Sequence, residues 1–267
     1  MSNQWDYYSM VGFVPETDPP EDLERLSINA DETALFLDFD GTLVDIAPTP
    51  DTIKVDASVR SLLNDLVREH KGAVSIVSGR NLQEISDRLD GFAGTISGGH
   101  GAEIRHASGH LPVIECDLAR LGHIKKAARE FAVLEPRVIA EDKRFGVVLH
   151  FRQHPDMESK VREFLSSLIG SDDEFELQSA KMAVEIKPKG ISKADAVKRI
   201  TGFDEFAGRR ILFAGDDETD ESAFSWVNEQ DGITIKIGEG PTCAHYRTHS
   251  PSAFKDWLRT QTKMMES

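Results

Sequence analysis

The sequence predicts an α/β protein with a parallel-sheet core and a smaller α+β insertion. Three observations carry that expectation. From residue 33, short apolar runs alternate with helical stripes. Over 112–187 the pattern changes, and apolar and polar residues alternate along Met182 to Lys187 as on a strand with two unlike faces. From Ser192 the first rhythm returns. Strand–helix–strand at this spacing implies parallel pairing with crossover helices, a Rossmann-like arrangement. The expected organisation is an N-terminal arm at 1–27, a core formed by 28–111 and 188–267, and an inserted cap, or lid, at 112–187.

Taken in order, the arm is acidic and carries Pro15, Pro19 and Pro20, so a loosely docked or disordered segment is expected, with Trp5, Tyr7, Tyr8 and Phe13 able to pack on a surface. Thr33 to Phe39 reads as the first strand. Asp56 is a helix N-cap, followed by Val59, Leu62, Leu63, Leu66 and Val67 at i, i+3, i+4, i+7 and i+8, a helical stripe closed by His70, Lys71 and Gly72. Ala73 to Val77 is a second strand, Leu82, Ile85 and Leu89 mark a second helix, and Thr95-Ile96 starts a third strand before the Gly-rich turn Gly98 to Gly101. In the insertion, helices are expected around Leu118 to Phe131 and Met157 to Ile169, and strands at Arg144 to Arg152 and Met182 to Lys187, with the polar face of that sheet solvated. A helix from Ser192 to about Ile200, a strand at Arg210 to Ala214, a helix at Thr219 to Val227 and a strand at Gly232 to Ile237 complete the core.

Composition narrows the partners. The 267 residues carry a formal net charge of −15, with 39% hydrophobic and 29% charged residues. That balance disfavours nucleic acid and anionic membrane surfaces, which need basic patches. No apolar run approaches the ~18 residues of a membrane span, and Met1 to Met10 lacks the basic and apolar regions of a secretory leader. Cys116 and Cys243 show no ligand spacing and read as free thiols. The expectation is a cytoplasmic protein, a monomer or weak homodimer, acting on a small molecule.

Asp38-Phe39-Asp40-Gly41-Thr42 follows the first strand, where an open parallel sheet places its ligands. Carboxylates at such an edge are costly unless a metal, a cation or a reaction uses them. An Asp-Gly turn explains the pair equally well, whereas a calcium loop does not, because no acidic ligand series or twelfth-position Glu follows. Gly215 to Glu221 places five acids in six positions on a second strand-to-helix turn. Helix capping needs one or two acids, so the surplus points to a metal. Ser78-Gly79-Arg80, opening a helix, suits a phosphate, although a plain helix cap reads the same. Lys187, Lys189 and Lys193 cluster before the helix capped by Ser192; each can equally be a solvated charge.

In order, Asp38-Phe39-Asp40-Gly41-Thr42, Ser78-Gly79-Arg80, Lys193 and Gly215-Asp216-Asp217 resemble the four motifs of the haloacid dehalogenase-like phosphatases. Within that superfamily the chain is similar to the trehalose-6-phosphate phosphatases, on Asp38 to Ile46, Gly99 to Glu103, Val184 to Gly190 and Gly215 to Glu221. The resemblance spans about residues 33–240. Ala194 departs from it, where Gly usually follows the lysine. What the resemblance implies is a Mg²⁺-dependent phosphomonoester hydrolase working through an aspartyl-phosphate. Asp38 is implied as nucleophile, Asp40 as proton carrier, and Ser78 and Lys193 as holders of the phosphoryl group. Asp38, the main-chain carbonyl of Asp40 and Asp216 are implied as metal ligands, with Asp217 and Asp220 behind them or bonded through water. Arg80, His100, Glu141, Lys143 and Glu185 are implied as sugar-binding residues; Lys189 remains an alternative to Lys193. Other readings are a phosphatase of the same fold acting on sucrose or mannosylglycerate phosphate, a transferase or mutase, and a non-catalytic sugar-phosphate sensor. A sensor is expected to lack Asp38 or Asp40, and both are present.

Overall fold

The computed structural model describes residues 21–45, 55–106, 109–112, 117–170, 174–180 and 182–263. The chain runs β1 (Glu21–Asp22), β2 (Thr33–Leu37), α1 (Ala57–Glu69), β3 (Val74–Val77), α2 (Leu82–Arg88), β4 (Thr95–Gly98), β5 (Glu103–His106) and β6 (Gly109–Pro112). It continues through α3 (Leu118–Leu134), β7 (Ile139–Lys143), β8 (Gly146–His150), α4 (Glu158–Ile169), β9 (Phe175–Ala180) and β10 (Ala183–Pro188). The last stretch holds α5 (Lys193–Ile200), β11 (Arg210–Gly215), α6 (Glu221–Glu229), β12 (Ile233–Ile237), β13 (Tyr246–Thr248) and α7 (Pro251–Lys263).

Two sheets result. The larger is ordered β1-β13-β12-β11-β2-β3-β4-β5-β6. Its strands are parallel from β1 to β4, and β5 and β6 are added antiparallel at the far edge. The smaller is antiparallel, ordered β7-β8-β10-β9. The α/β architecture read from the sequence is therefore the one observed.

The larger sheet is buried on both faces, which is why its strands read as continuous apolar runs. On β2, Leu35 and Leu37 join one core with α1, α2 and α7, while Ala34 and Phe36 face the opposite core with α5 and α6. The stripe on α1 buries Val59, Leu62, Leu63 and Leu66 as its spacing predicts. The smaller sheet has its own core, where Val147, Leu149, Val184 and Ile186 meet Leu121, Ile124, Val161 and Leu165 of α3 and α4.

Three expectations need correction. The polar face of β10 is not solvated: Glu185 and Lys187 are only 8% and 7% exposed, because that face turns toward the strand ends of the larger sheet. The helix expected from Thr219 starts instead as a 3₁₀ turn, Glu218–Asp220, with α6 following from Glu221, because Asp217 caps the turn and Asp220 reaches back to the Asp217 backbone. The arm does not extend to residue 27, since β1 pairs in parallel with β13 and Leu23 is buried. Residues 1–20, with Trp5, Tyr7, Tyr8 and Phe13, and likewise Cys116, lie outside the described residues. Among the described residues, no helix is long and apolar enough to cross a membrane.

Candidate active site

The larger sheet delivers three residues to one edge through parallel strands. Asp38 follows β2, Ser78 follows β3 and Asp216 follows β11. The Asp38 N–H donates to the Ala214 carbonyl (2.9 Å), which locks the end of β2 to β11. Asp38, Asp216 and Asp220 each place a carboxylate oxygen within 4.8 Å of the others. Gly41 makes this approach feasible: its φ is +76°, and a Cβ there would stand 2.0 Å from Asp216 Oδ2.

Lys193, at the first turn of α5, is the cation the fold brings to this cluster. Its Nζ donates to Asp38 Oδ1 (2.8 Å) and Asp220 Oδ1 (2.7 Å) and lies 3.8 Å from Asp217 Oδ1. Burial works against its charge, but Asp220, Asp38 and Asp217 outweigh that and hold its pKa well above the ordinary lysine value. Lys189 is exposed on the turn before α5. Asp220 is fully buried and already committed: Oδ1 accepts from Lys193, and Oδ2 accepts from the N–H groups of Asp216 and Asp217, both at 3.1 Å. Asp38 differs, for its Oδ2 is buried and has no hydrogen-bond partner among the described residues.

The carboxylates outnumber their cations, and the titration reflects it. Burial raises Asp38 to about 7; Lys193 opposes this, while Asp216 and Asp217 push the same way. Burial, Asp217 and Asp220 likewise raise Asp216 to about 7, against Lys193 and Lys236. Asp217 goes the other way: burial would raise it, but Lys193 and hydrogen bonds involving Thr219 and Asp220 bring it to about 2. An uncommitted buried oxygen on Asp38, hard oxygen donors converging from two loops and a surplus of negative charge are the donor set a small divalent cation takes.

Asp40 is turned toward Arg80. The guanidinium holds it by two bonds, Nε to Oδ2 (2.6 Å) and Nη2 to Oδ1 (3.0 Å), and its third edge donates to Glu84. Ser78 Oγ accepts from the Arg80 N–H (3.1 Å), and the Ser78 carbonyl accepts from the His100 N–H (2.9 Å). His100 sits at φ 57° with its ring against Gly79, where a Cβ would come within 2.5 Å of it. Burial first, then Lys193, Lys143 and Lys187, push its imidazole down to about 3, so it is neutral at ordinary pH.

The smaller sheet roofs this edge. A cleft of about 550 Å³ is lined below by Asp38, Asp40, Ser78, Arg80, His100 and Lys193, and above by Glu141, Lys143, Glu185 and Lys187. Lys143 Nζ donates to Glu185 Oε2 (2.9 Å), and Glu141 Oε2 lies 2.7 Å from His150 Nε2. Arg144, on the turn between β7 and β8, pairs with buried Glu103 of β5 at 2.6 Å, tying the two sheets together.

Known proteins share this sequence pattern. A family profile described as Trehalose-phosphatase matches residues 36–255. The chain belongs to the trehalose-phosphatase family. A probable trehalose-phosphate phosphatase of Sinorhizobium fredii is 37% identical over 236 residues, covering 86% of this chain and 87% of that one. The trehalose-6-phosphate phosphatase of Escherichia coli is 32% identical over 250 residues, covering 94% and 93%. Among solved structures, a trehalose-6-phosphate phosphatase related protein superimposes with a TM-score of 0.68 at 29% identity, covering 87% and 98%. Membership makes the chain a phosphomonoester hydrolase.

Seen as a trehalose-phosphatase site, the cleft brings together Asp38, Asp40, Ser78, Arg80, His100, Glu141, Lys143, Glu185, Lys193 and Asp217 on one lining, while Asp216 and Asp220 stand behind Asp38. At or beside it stand further charged side chains to which motif reading gave no definite role. Lys236, buried on β12, donates to the Asp216 carbonyl. Its signal was a lysine inside the apolar strand Ile-Thr-Ile-Lys-Ile. Lys187 donates to the Ile191 carbonyl and lies 3.3 Å from Glu176. Glu84 and Arg144 carried no sequence signal, and Glu103 only as the end of the Gly99 to Glu103 segment, because each is an ordinary charged residue until the fold places it at the cleft.

Proposed function

We propose that this chain hydrolyses trehalose 6-phosphate to trehalose and phosphate, with Mg²⁺ bound and through an aspartyl-phosphate on Asp38. The observation that carries this reading is the Asp38 carboxylate: one oxygen is held by Lys193, and the other is buried with no partner among the described residues, at the floor of a cleft roofed by polar side chains. One oxygen of the Asp38 carboxylate attacks phosphorus as the bond from phosphorus to the sugar oxygen breaks. Asp40 gives its proton to that oxygen, then takes one from the water that hydrolyses the aspartyl-phosphate. Lys193 and Ser78 hold the transferring phosphoryl oxygens, where charge stabilisation does most of the work. Asp38, Asp216 and the main-chain carbonyl of Asp40 would hold Mg²⁺, with Asp217 and Asp220 behind them; the ion would neutralise carboxylate and phosphoryl charge there. The net charge of −15 supports a small-molecule substrate rather than nucleic acid or membrane; a cytoplasmic monomer or weak homodimer belongs to the same proposal.

Sugar recognition falls to the roof. Carboxylates of Glu141 and Glu185 accept from vicinal hydroxyls and Lys143 donates, while neutral His100 and Arg80 face the same cleft. Phosphate release from a panel of sugar phosphates tests both the reaction and its selectivity. Trehalose 6-phosphate should exceed glucose 6-phosphate in kcat/KM by about 10²-fold or more, and Glu185→Ala should cut that ratio about 10-fold. Equal rates across the panel would overturn the substrate assignment.

Metal binding should show in thermal unfolding. Asp38 and Asp216 have folded-state pKa values raised to about 7, above the ordinary ~4 of a carboxyl group. An acid raised in this way costs the fold stability as pH climbs from its ordinary value through the folded one. A divalent cation offsets that cost only where the carboxylates are ionised. The Mg²⁺-induced rise in Tm should therefore be larger at about pH 8 than at about pH 5.5, and Asp216→Asn should abolish most of it. A rise independent of pH would show that the ion binds elsewhere.

A further inference from the structure

We propose that Glu84 is a positioning residue for proton transfer to the leaving sugar: it anchors the Arg80 guanidinium and so sets where the carboxyl group of Asp40 stands. The proposal rests on the reading of Asp40 as proton carrier. Four charged side chains form a line along α2 and the cleft wall: Asp40, Arg80, Glu84 and Arg88. Arg80 holds Asp40 through Nε (2.6 Å) and Nη2 (3.0 Å), and donates to Glu84 Oε1 through Nη1. Arg88 holds the same Glu84 oxygen from the other side, through Nε (3.2 Å) and Nη2 (3.0 Å). The turn itself is fixed, because the Asn81 side chain caps α2 by accepting from the Glu84 N–H (2.8 Å).

A guanidinium is a rigid planar fork, so holding one edge orients the others. With its third edge on Glu84, Arg80 presents its other two donors to Asp40 in one plane only. Arg80 is 12% exposed at its side chain and Glu84 29%, so this pairing is partly shielded from solvent. The chemistry then needs the pair to open. When the bond from phosphorus to the sugar oxygen breaks, its electrons stay on that oxygen and the proton comes from Asp40, so one Asp40 oxygen must carry a proton rather than accept from Arg80. Glu84 is the anion that retains Arg80 as it swings away, and Arg88 keeps Glu84 from following.

The test uses leaving groups, in single turnovers with enzyme in excess and Mg²⁺ present. A sugar alkoxide needs a proton to leave; p-nitrophenolate does not. Glu84→Gln should slow trehalose release from trehalose 6-phosphate about 10-fold, a fraction of the ~10²–10⁴ that general acid catalysis supplies, and slow p-nitrophenolate release less than about 2-fold. Glu84→Asp should recover part of the loss, and carries the same comparison if Glu84→Gln unfolds. Equal slowing of both substrates, or of neither, overturns the role of Glu84. Asp40→Asn separates the two levels of the argument: a difference between substrates there but not in Glu84→Gln removes Glu84 alone, whereas no difference in Asp40→Asn removes Asp40 as the acid and this proposal with it.

Discussion

Replacing Asp38 by Asn should reduce kcat/KM at least about 10⁴-fold, because an amide oxygen cannot serve as the nucleophile and no other group takes its place. The neighbourhood leaves no substitute. Asp220 has both oxygens committed to Lys193 and to the Asp216 and Asp217 N–H groups, and Asp40 faces Arg80. The same change should raise thermal stability at about pH 8, by roughly 1–3 kcal/mol. Asp38 is 3% exposed and its pKa is raised to about 7, chiefly by burial, so above that pH the fold carries an ionised group it would rather keep neutral. Removing the charge removes that penalty. Loss of activity with a gain in Tm identifies a site strained for function. Turnover surviving in Asp38→Asn would rule out the covalent step on this residue.

The second large effect belongs to Lys193. Lys193→Met keeps the length of the side chain and deletes the ammonium that holds Asp38 and Asp220. Breaking a buried charge cluster by removing one partner costs about 3–5 kcal/mol, since the remaining charges are left unpaired. Lys193 is the group that lowers both Asp38 and Asp220 against their burial, so its loss pushes both carboxyl groups further up. Acids raised in the folded state cost stability above their unfolded pKa, so the deficit relative to wild type should be small near about pH 4 and grow toward about pH 8. Denaturant melts at several pH values measure it. Activity should fall about 10³-fold or more with the loss of phosphoryl charge stabilisation. A deficit that does not change with pH would mean that Lys193 acts through packing rather than charge.

Much of the fold could be read directly. The stripe from Val59 to Leu66 and the runs at β2, β3, β11 and β12 are local patterns, set by burial on one helix face or on both faces of a parallel sheet. Among the elements that were missed, α7 does carry a helical stripe, Phe254, Trp257 and Leu258, whereas β7, β5, β6 and β1 lack such a pattern. β7 is Ile-Ala-Glu-Asp-Lys, an edge strand whose residues are mostly exposed, so its apolar content says little. The β5–β6 hairpin is built from Glu-Ile-Arg-His and Gly-His-Leu-Pro, too short and mixed to show a period. β1 exists only because β13 is there to pair with it.

The sequence by itself determined the α/β class, the acidic turns at Asp38 and Asp216, and the order of motifs, because each is a local pattern: strand period, strand-to-helix turn, residue type. Only the tertiary structure decided which charges meet. Lys193 rather than Lys189 reaches Asp38 across 155 positions of chain, and Arg80 holds Asp40 across 40. Glu185 and Lys187 become buried roof residues instead of solvated ones. Coulomb energy and desolvation depend on distance and burial, not on chain separation. The roles of these charged side chains therefore became definite only once two sheets, formed from distant stretches of chain, closed on one cleft.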